Sequence, residues 1–263
     1  MMGAMLDLRA EARAARPDLP ALEHLYRDVR ETWYGRMVNE YASAAVFVGL
    51  AEQLRGAGLG EELALECESF AEEERHHGIL CGAVVEAAGG EALAPQPVRE
   101  PFPYHHEVEP LEALLRNLIS VSCLSETAAV ALIGAERLRM PEGSLRQLLT
   151  RIYGDEVGHA RFGWQLVSRL LPTVAPAMRE RLSDYLALAF AHFETYELAH
   201  LPESYTPPTE GDALGLCSGS VARELLYQTV ETVMVPGLAR LGLDAERAWK
   251  LRHQAARAAG PIR

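Results

Sequence analysis

Lysine is nearly missing from this chain. Of 25 basic residues against 37 acidic ones, only Lys250 is a lysine, and the formal charge is −12. A shortage of positive charge argues against a nucleic-acid groove, because phosphate binding needs clustered Lys and Arg. Cysteine is also scarce. Cys67, Cys81, Cys123 and Cys217 show no C-x-x-C spacing, which disfavours a disulfide framework or a cysteine zinc site. They read as small buried hydrophobes in a reducing cytoplasm. Long apolar runs are absent too. Ala44–Ala51 and Ala128–Ala135 fall well short of the roughly 20 residues a membrane span needs. Met1, Met2, Gly3, Ala4 and Met5 lack the basic region and apolar core of a signal peptide. Strand-like alternation is hard to find.

What remains is helix-forming sequence. With 49% hydrophobic and 24% charged residues over 263 positions, the chain is globular with a substantial core. Ala, Leu, Glu and Arg dominate, and Gly and Pro punctuate. Gly56–Gly60 breaks one helical pattern, and Arg139–Gly143 is a short turn around Pro141. The stretch from Gly89-Gly90 to Pro110 is a long connection with five prolines. Pro172 ends a helix, Pro202–Gly211 forms a loop, and Pro236 should kink or end a late helix. The spacing predicts helices over about 20–55 (with a possible break at Trp33–Gly35), 61–88, 110–139, 143–171, 174–200, 218–240 and 244–257. Short turns make the first two pairs antiparallel hairpins, and the long connection is the crossover between them. The predicted fold is all-α. A ferritin-like four-helix bundle with an N-terminal extension spans 1–172, and additional C-terminal helices (173–263) pack on it in the same domain.

Two stretches share the pattern acidic–Glu–x–x–His. Glu72-Glu73-Glu74-Arg75-His76-His77 contains one and Asp155-Glu156-Val157-Gly158-His159 the other. Positions i and i+3 share a helix face, so a Glu and a His can reach one metal. In an antiparallel hairpin, residues equidistant from the turn lie at one height. Glu40 thus faces Glu73 across the Gly56–Gly60 break, and Glu126 faces Glu156 across Pro141. Glu40 sits on a stripe of Trp33, Met37, Ala44, Phe47 and Ala51. Glu126 sits on one of Ile119, Ser122, Cys123, Val130 and Ile133. A bare carboxylate on such a face costs several kcal/mol unless a cation compensates it. Arg36, at i−4 from Glu40, is one candidate, but two divalent ions would balance four Glu and two neutral His. Carboxylate and imidazole donors suit iron or manganese.

The sequence contains four Glu-x-x-His matches. Aligning the leading acids Glu72 and Asp155 selects Glu73/His76. Glu74/His77 is the competing register, about 100° around the helix. Glu197/His200, near a helix end with no Glu at matching height, reads as a surface pair. Tyr41, Tyr153, Trp33 and Trp164 read as packing residues.

The set Glu40, Glu73, His76, Glu126, Glu156 and His159 resembles the ligand pattern of the ferritin-like diiron-carboxylate superfamily. That group includes rubrerythrins, aldehyde-deformylating oxygenases, ribonucleotide reductase small subunits and bacterial multicomponent monooxygenase hydroxylases. The resemblance covers roughly residues 21–172. It implies two iron ions held by these six residues, with a manganese–iron pair as the alternative, and O2 as co-substrate. It also implies that Asp155 accepts the N–H of His76, and Glu72 that of His159. The lack of C-x-x-C pairs and the 91 residues after the bundle favour an oxidase or oxygenase acting on a small organic substrate, with electrons from an external donor. The extension could wall a pocket or form a homodimer interface. The alternative is a ferroxidase or iron-handling protein. Ile152 stands where arylamine N-oxygenases carry an extra His. The charge disfavours a tRNA-modifying hydroxylase. The remaining expectations are a cytoplasmic location, no nucleic acid and no membrane span.

Overall fold

The computed structural model describes residues 4–97 and 101–259. The reading of Met1, Met2 and Gly3 as no part of a signal peptide lies outside the described residues. Among the described residues the chain is all-α apart from one short ribbon. Long antiparallel helices form a ferritin-like four-helix-bundle topology, with extra helices following it.

The first hairpin is α2 (Tyr26–Gly56) and α3 (Glu61–Ala87). The long connection follows. The second hairpin starts with one continuous helix in three stretches: α4 (Pro110–Leu118), a π-helical segment (Ile119–Ser125) and α5 (Glu126–Arg139). It returns through α6 (Ser144–Leu170). Beyond it come α7 (Pro176–His200), then α8 (Gly219–Thr229) running through a second π-helical segment (Val230–Met234) into α9 (Val235–Arg240), and α10 (Ala245–Ala259). Gly60 explains the sharp start of α3. Its φ of +102° is open to glycine and strained for other residues. Pro110 and Pro176 sit in the first turns of their helices, where a missing N–H costs nothing. The predicted helices are all present, and α2 runs unbroken through Trp33–Gly35.

Three features were not predicted. A short helix α1 (Arg9–Ala14) precedes the bundle. A two-stranded antiparallel ribbon pairs β1 (Met5–Asp7) with β2 (Leu93–Pro95), placing Leu6 opposite Ala94. Two π segments interrupt helices, the second of them in the late helix that Pro236 was expected to kink or end. The one before Pro236 has a physical reason, since proline cannot donate to a carbonyl one turn back and the local register shifts instead. By length and composition, Pro110–Arg139 is also apolar enough to cross a membrane, which the run-length argument had not found. That helix nonetheless carries the buried polar side chains Glu112, Asn117, Ser122, Glu126 and Glu136.

The chain divides into two compact units, and the division cuts across two continuous helices, α5 and α6. One unit comprises Met1–Pro103, Ala135–Asp155 and Pro207–Cys217. Its core packs α2 against α3, with Trp33, Met37, Phe47 and Leu50 fully buried. Buried carboxylates fasten its accessories. Glu86 accepts from Arg13 of α1 and from the Ala92 backbone. Glu136 accepts both guanidinium N–H groups of Arg36, at 2.8 and 2.7 Å. Arg36 is thus committed to Glu136, not to Glu40. The Trp33 indole donates to Leu214 O. Gly215, at φ +75°, passes so close that a Cβ would meet Glu136 and Trp33. Cys217 is half-buried, unlike the other cysteines, and its sulfur accepts from Arg139 at 3.0 Å.

The other unit comprises Tyr104–Gly134, Glu156–Thr206 and Ser218–Arg263. Here α7 packs against α4, the first π segment and α10, and the two π segments touch. Glu112 binds Arg116 and Arg181, and Glu194 binds Arg252 and the Tyr227 hydroxyl. Each of these carboxylates is buried and fastens an added helix through a charged hydrogen bond.

Candidate metal centre

In the first unit, Glu40 of α2 meets Glu74 and His77 of α3. One donor atom from each lies within 4.8 Å of the others. His77 Nδ1 is 3.7 Å from Glu40 Oε2 and 4.0 Å from Glu74 Oε1. These separations exceed hydrogen bonds and suit donors arranged around a shared ion. The His77 ring is fully buried, Glu74 is buried and Glu40 half-buried. On the far side of the ring, His77 Nε2 donates to Asp155 Oδ2 at 3.1 Å. That bond keeps the proton on Nε2 and turns the Nδ1 lone pair toward the two glutamates. The Ser43 hydroxyl donates to Glu74 Oε2 and orients it. The helices approach closely here. A Cβ on Gly78 would come within 2.8 Å of Tyr41 Cβ, so glycine beside His77 brings α3 onto α2 next to Glu40.

In the second unit, Glu126 begins α5, directly after the π segment, and meets Glu156 and His159 of α6. These three also place donors within 4.8 Å of one another. His159 Nδ1 is 3.5 Å from Glu156 Oε2 and 3.7 Å from Glu126 Oε2, with the ring fully buried. Burial, then the neighbouring Glu156 charge, pushes the Glu126 carboxyl up to about 8. Two carboxylates crowded away from water, with no arginine among the causes of that shift, need either a proton or a cation.

Each triad is therefore Glu plus Glu-x-x-His, buried, with the imidazole nitrogen facing two carboxylates. Hard oxygens and one imidazole form a donor set for a divalent ion such as iron, manganese or zinc. Each triad can hold one such ion. Three donors per ion leave coordination positions open.

Glu40, Glu126, Glu156 and His159 stand in the triads as the sequence placed them. Glu73 and His76 do not. Glu74 and His77, the competing register, stand beside Glu40 in their place. The leading acids misled the alignment, because Glu73-Glu74 matches Asp155-Glu156 as well as Glu72-Glu73 does. The decisive signal was the apolar stripe of α3. Cys67, Phe70, Ala71, Gly78 and Cys81 are buried at helical spacing, and Glu74 and His77 are in phase with them while Glu73 and His76 are not. The outer partners shift accordingly. Asp155 serves His77 instead of His76, and Glu72 is exposed and takes Arg75.

Of Glu197 and His200, read from the sequence as a surface pair, His200 is exposed. The His200 ring donates from Nδ1 to Tyr196 O and leans on the Tyr196 ring. Glu197 is half-buried, and loss of water together with the Glu126 charge raises its carboxyl to about 7. Of the aromatic residues, Tyr153 lies under the Arg137 guanidinium. Trp164 donates to the Thr127 hydroxyl at 2.9 Å, beside Glu126.

No family model matches the chain, and no curated protein matches it. The metal reading therefore stands on the two triads, in an all-helical fold consistent with ferritin-like diiron proteins in general.

Proposed function

We propose that the triads take two iron ions, one each, and that the protein is an O2-dependent diiron oxidase or oxygenase acting on a small organic substrate, with electrons from an external donor. The observation that carries this reading is the duplicated buried triad, Glu40/Glu74/His77 and Glu126/Glu156/His159. Storage needs exposed acidic sites through which iron passes. Both imidazoles here are fully buried, which suits a centre that keeps its ions. A reduced iron pair supplies electrons and open positions for dioxygen.

The chain's own residues prepare that chemistry. Asp155 fixes the His77 tautomer, and Ser43 holds Glu74 in place. Glu126 releases its proton when an ion takes its place. Ile119, Cys123 and Leu124, in the π segment that leads into Glu126, are fully buried. A manganese–iron pair fits the same donors.

Anaerobic loading with Fe(II), followed by air, tests the proposal through metal counting, O2 uptake and visible absorption. The expected result is two irons per chain, O2 consumption and a count that stays at two under excess Fe(II). A count that climbs with added iron would favour iron handling, and failure to bind two metals would end the metal reading.

A further inference from the structure

Ser122, in the first π segment, carries a hydroxyl that the fold leaves unused. It is fully buried, yet its hydroxyl has no hydrogen-bond partner among the described residues. Other helical hydroxyls solve this locally. Thr150, Ser183, Thr195, Thr229 and Thr232 each donate to the carbonyl four residues back. Ser122 does not. A buried hydroxyl without a partner costs on the order of a hydrogen bond, so its retention calls for a ligand.

Its position says which. Ser122 lies four residues before Glu126, one turn away on the same side of the helix. Across the seam stands Gly163, four residues after His159 and seven after Glu156 on α6. A Cβ at Gly163 would lie 2.1 Å from Ser122 Cβ and 2.9 Å from its Oγ, so the hydroxyl sits in the seam against the helix that carries two donors. The wall beside it is polar. Thr127 reaches back toward Ser122 O at 3.5 Å and accepts from the Trp164 indole.

We propose that Ser122 Oγ–H is a positioning donor for a small exogenous ligand, an oxygen species or a small anion, held by the ion at Glu126, Glu156 and His159. This rests on the metal reading of that triad. Ser122 is not itself a ligand to the ion. It offers one hydrogen bond to whatever occupies an open position, and so selects small ligands that can accept one.

Azide is the probe. The full chain is loaded anaerobically with Co(II), metal is counted, and azide is titrated by visible absorption. Ser122→Ala should keep two metals per chain and bind azide about tenfold more weakly, the scale of a lost hydrogen bond to a charged group. Ser122→Cys, with a weaker donor of similar size, should fall between. Metal-free Ser122→Ala should melt no lower than wild type, because it removes a buried hydroxyl that nothing satisfies. Two metals with unchanged azide affinity in both variants overturns the proposal. So does metal loss in a Ser122→Ala protein of normal helix content, which makes the residue part of the ion's own support. A wild-type chain that takes up no cobalt overturns instead the metal reading beneath it.

Discussion

Moving along α3 by one residue exchanges which pair of side chains meets Glu40. Glu74→Ala or His77→Ala should reduce the bound metal from two ions toward one per chain, while Glu73→Ala and His76→Ala should retain two. Metal counting on the four purified variants reads this directly, and equal losses in all four would sink the assignment. A residue-level signal for the register was present in the sequence, in the stripe from Cys67 to Cys81, but a short motif alignment does not weigh faces and the burial pattern does. The role of Asp155 was also legible; only its partner moved with the register. The Glu126 carboxyl makes a second test. Its folded value, about 8, lies above the ordinary carboxylate range. The folded state therefore binds the extra proton, and that stabilisation is complete below about pH 4.5 and is lost as pH rises to about 8. Glu197, raised to about 7, adds to the same slope. Glu86, Glu112 and Glu194 are held low by charged or backbone donors despite burial, so their stabilisation is lost on the acid side instead. The chelator-treated protein should lose on the order of 5 °C in melting temperature between pH 5.5 and pH 8.5. Glu126→Gln should flatten that fall. A melting temperature that rises over this interval in the wild-type chain would contradict the crowded carboxylates.

Helices were legible because their ends are chemically marked. Gly60, Pro110 and Pro176 announce starts, and Gly56–Gly60 and Pro141 announce turns. The β ribbon was not legible, since three residues per strand are too few to show alternation. The π segments were not legible either. A widened turn over five to seven residues barely disturbs an apolar pattern, and Pro236 marks a disturbance of its helix without saying which kind. Glycine spacing carries information of both kinds. Gly35 is exposed in the middle of α2 with nothing within 4 Å of a Cβ, so it fits a helix as well as the break the sequence suggested. Gly35→Ala should stabilise the protein by about 0.5–1 kcal/mol through helix propensity. Gly163→Ala should do the reverse. Its methyl would strike Ser122 on the opposing helix, an overpacking that costs about 1–3 kcal/mol. Denaturant melts of the pair separate the two effects, and similar shifts for both would mean that the seam at Ser122 is looser than its geometry says.

At the scale of the whole chain, charge has to be divided between surface and interior. The formal charge of −12 counts Glu40, Glu74, Glu126 and Glu156, three of them buried and one half-buried. Two divalent ions would cancel four of the twelve excess negatives, and solvent salt cannot take their place, because screening acts on exposed charge. The scarcity of lysine fits the same division. Buried acids outside the triads are met by guanidinium groups, as Arg36 meets Glu136 and Arg252 meets Glu194, each through two nitrogens on one carboxylate. At Glu126, burial and the neighbouring Glu156 charge raise the carboxyl, and a proton or an ion would supply the counter-charge there. Metal loading should therefore stabilise the chain by mass action. At free metal about 100-fold above its dissociation constant the gain is about 2.7 kcal/mol, or on the order of 5–10 °C in melting temperature for a chain of this size. Ions merely attracted to an acidic surface would be displaced by 0.5 M NaCl and the gain would vanish with them. Ions held in the triads would keep it, so the difference between metal-loaded and chelator-treated melting temperatures, measured at low salt and again at 0.5 M NaCl, decides whether the acidity that marks this sequence is a property of its surface or of its core.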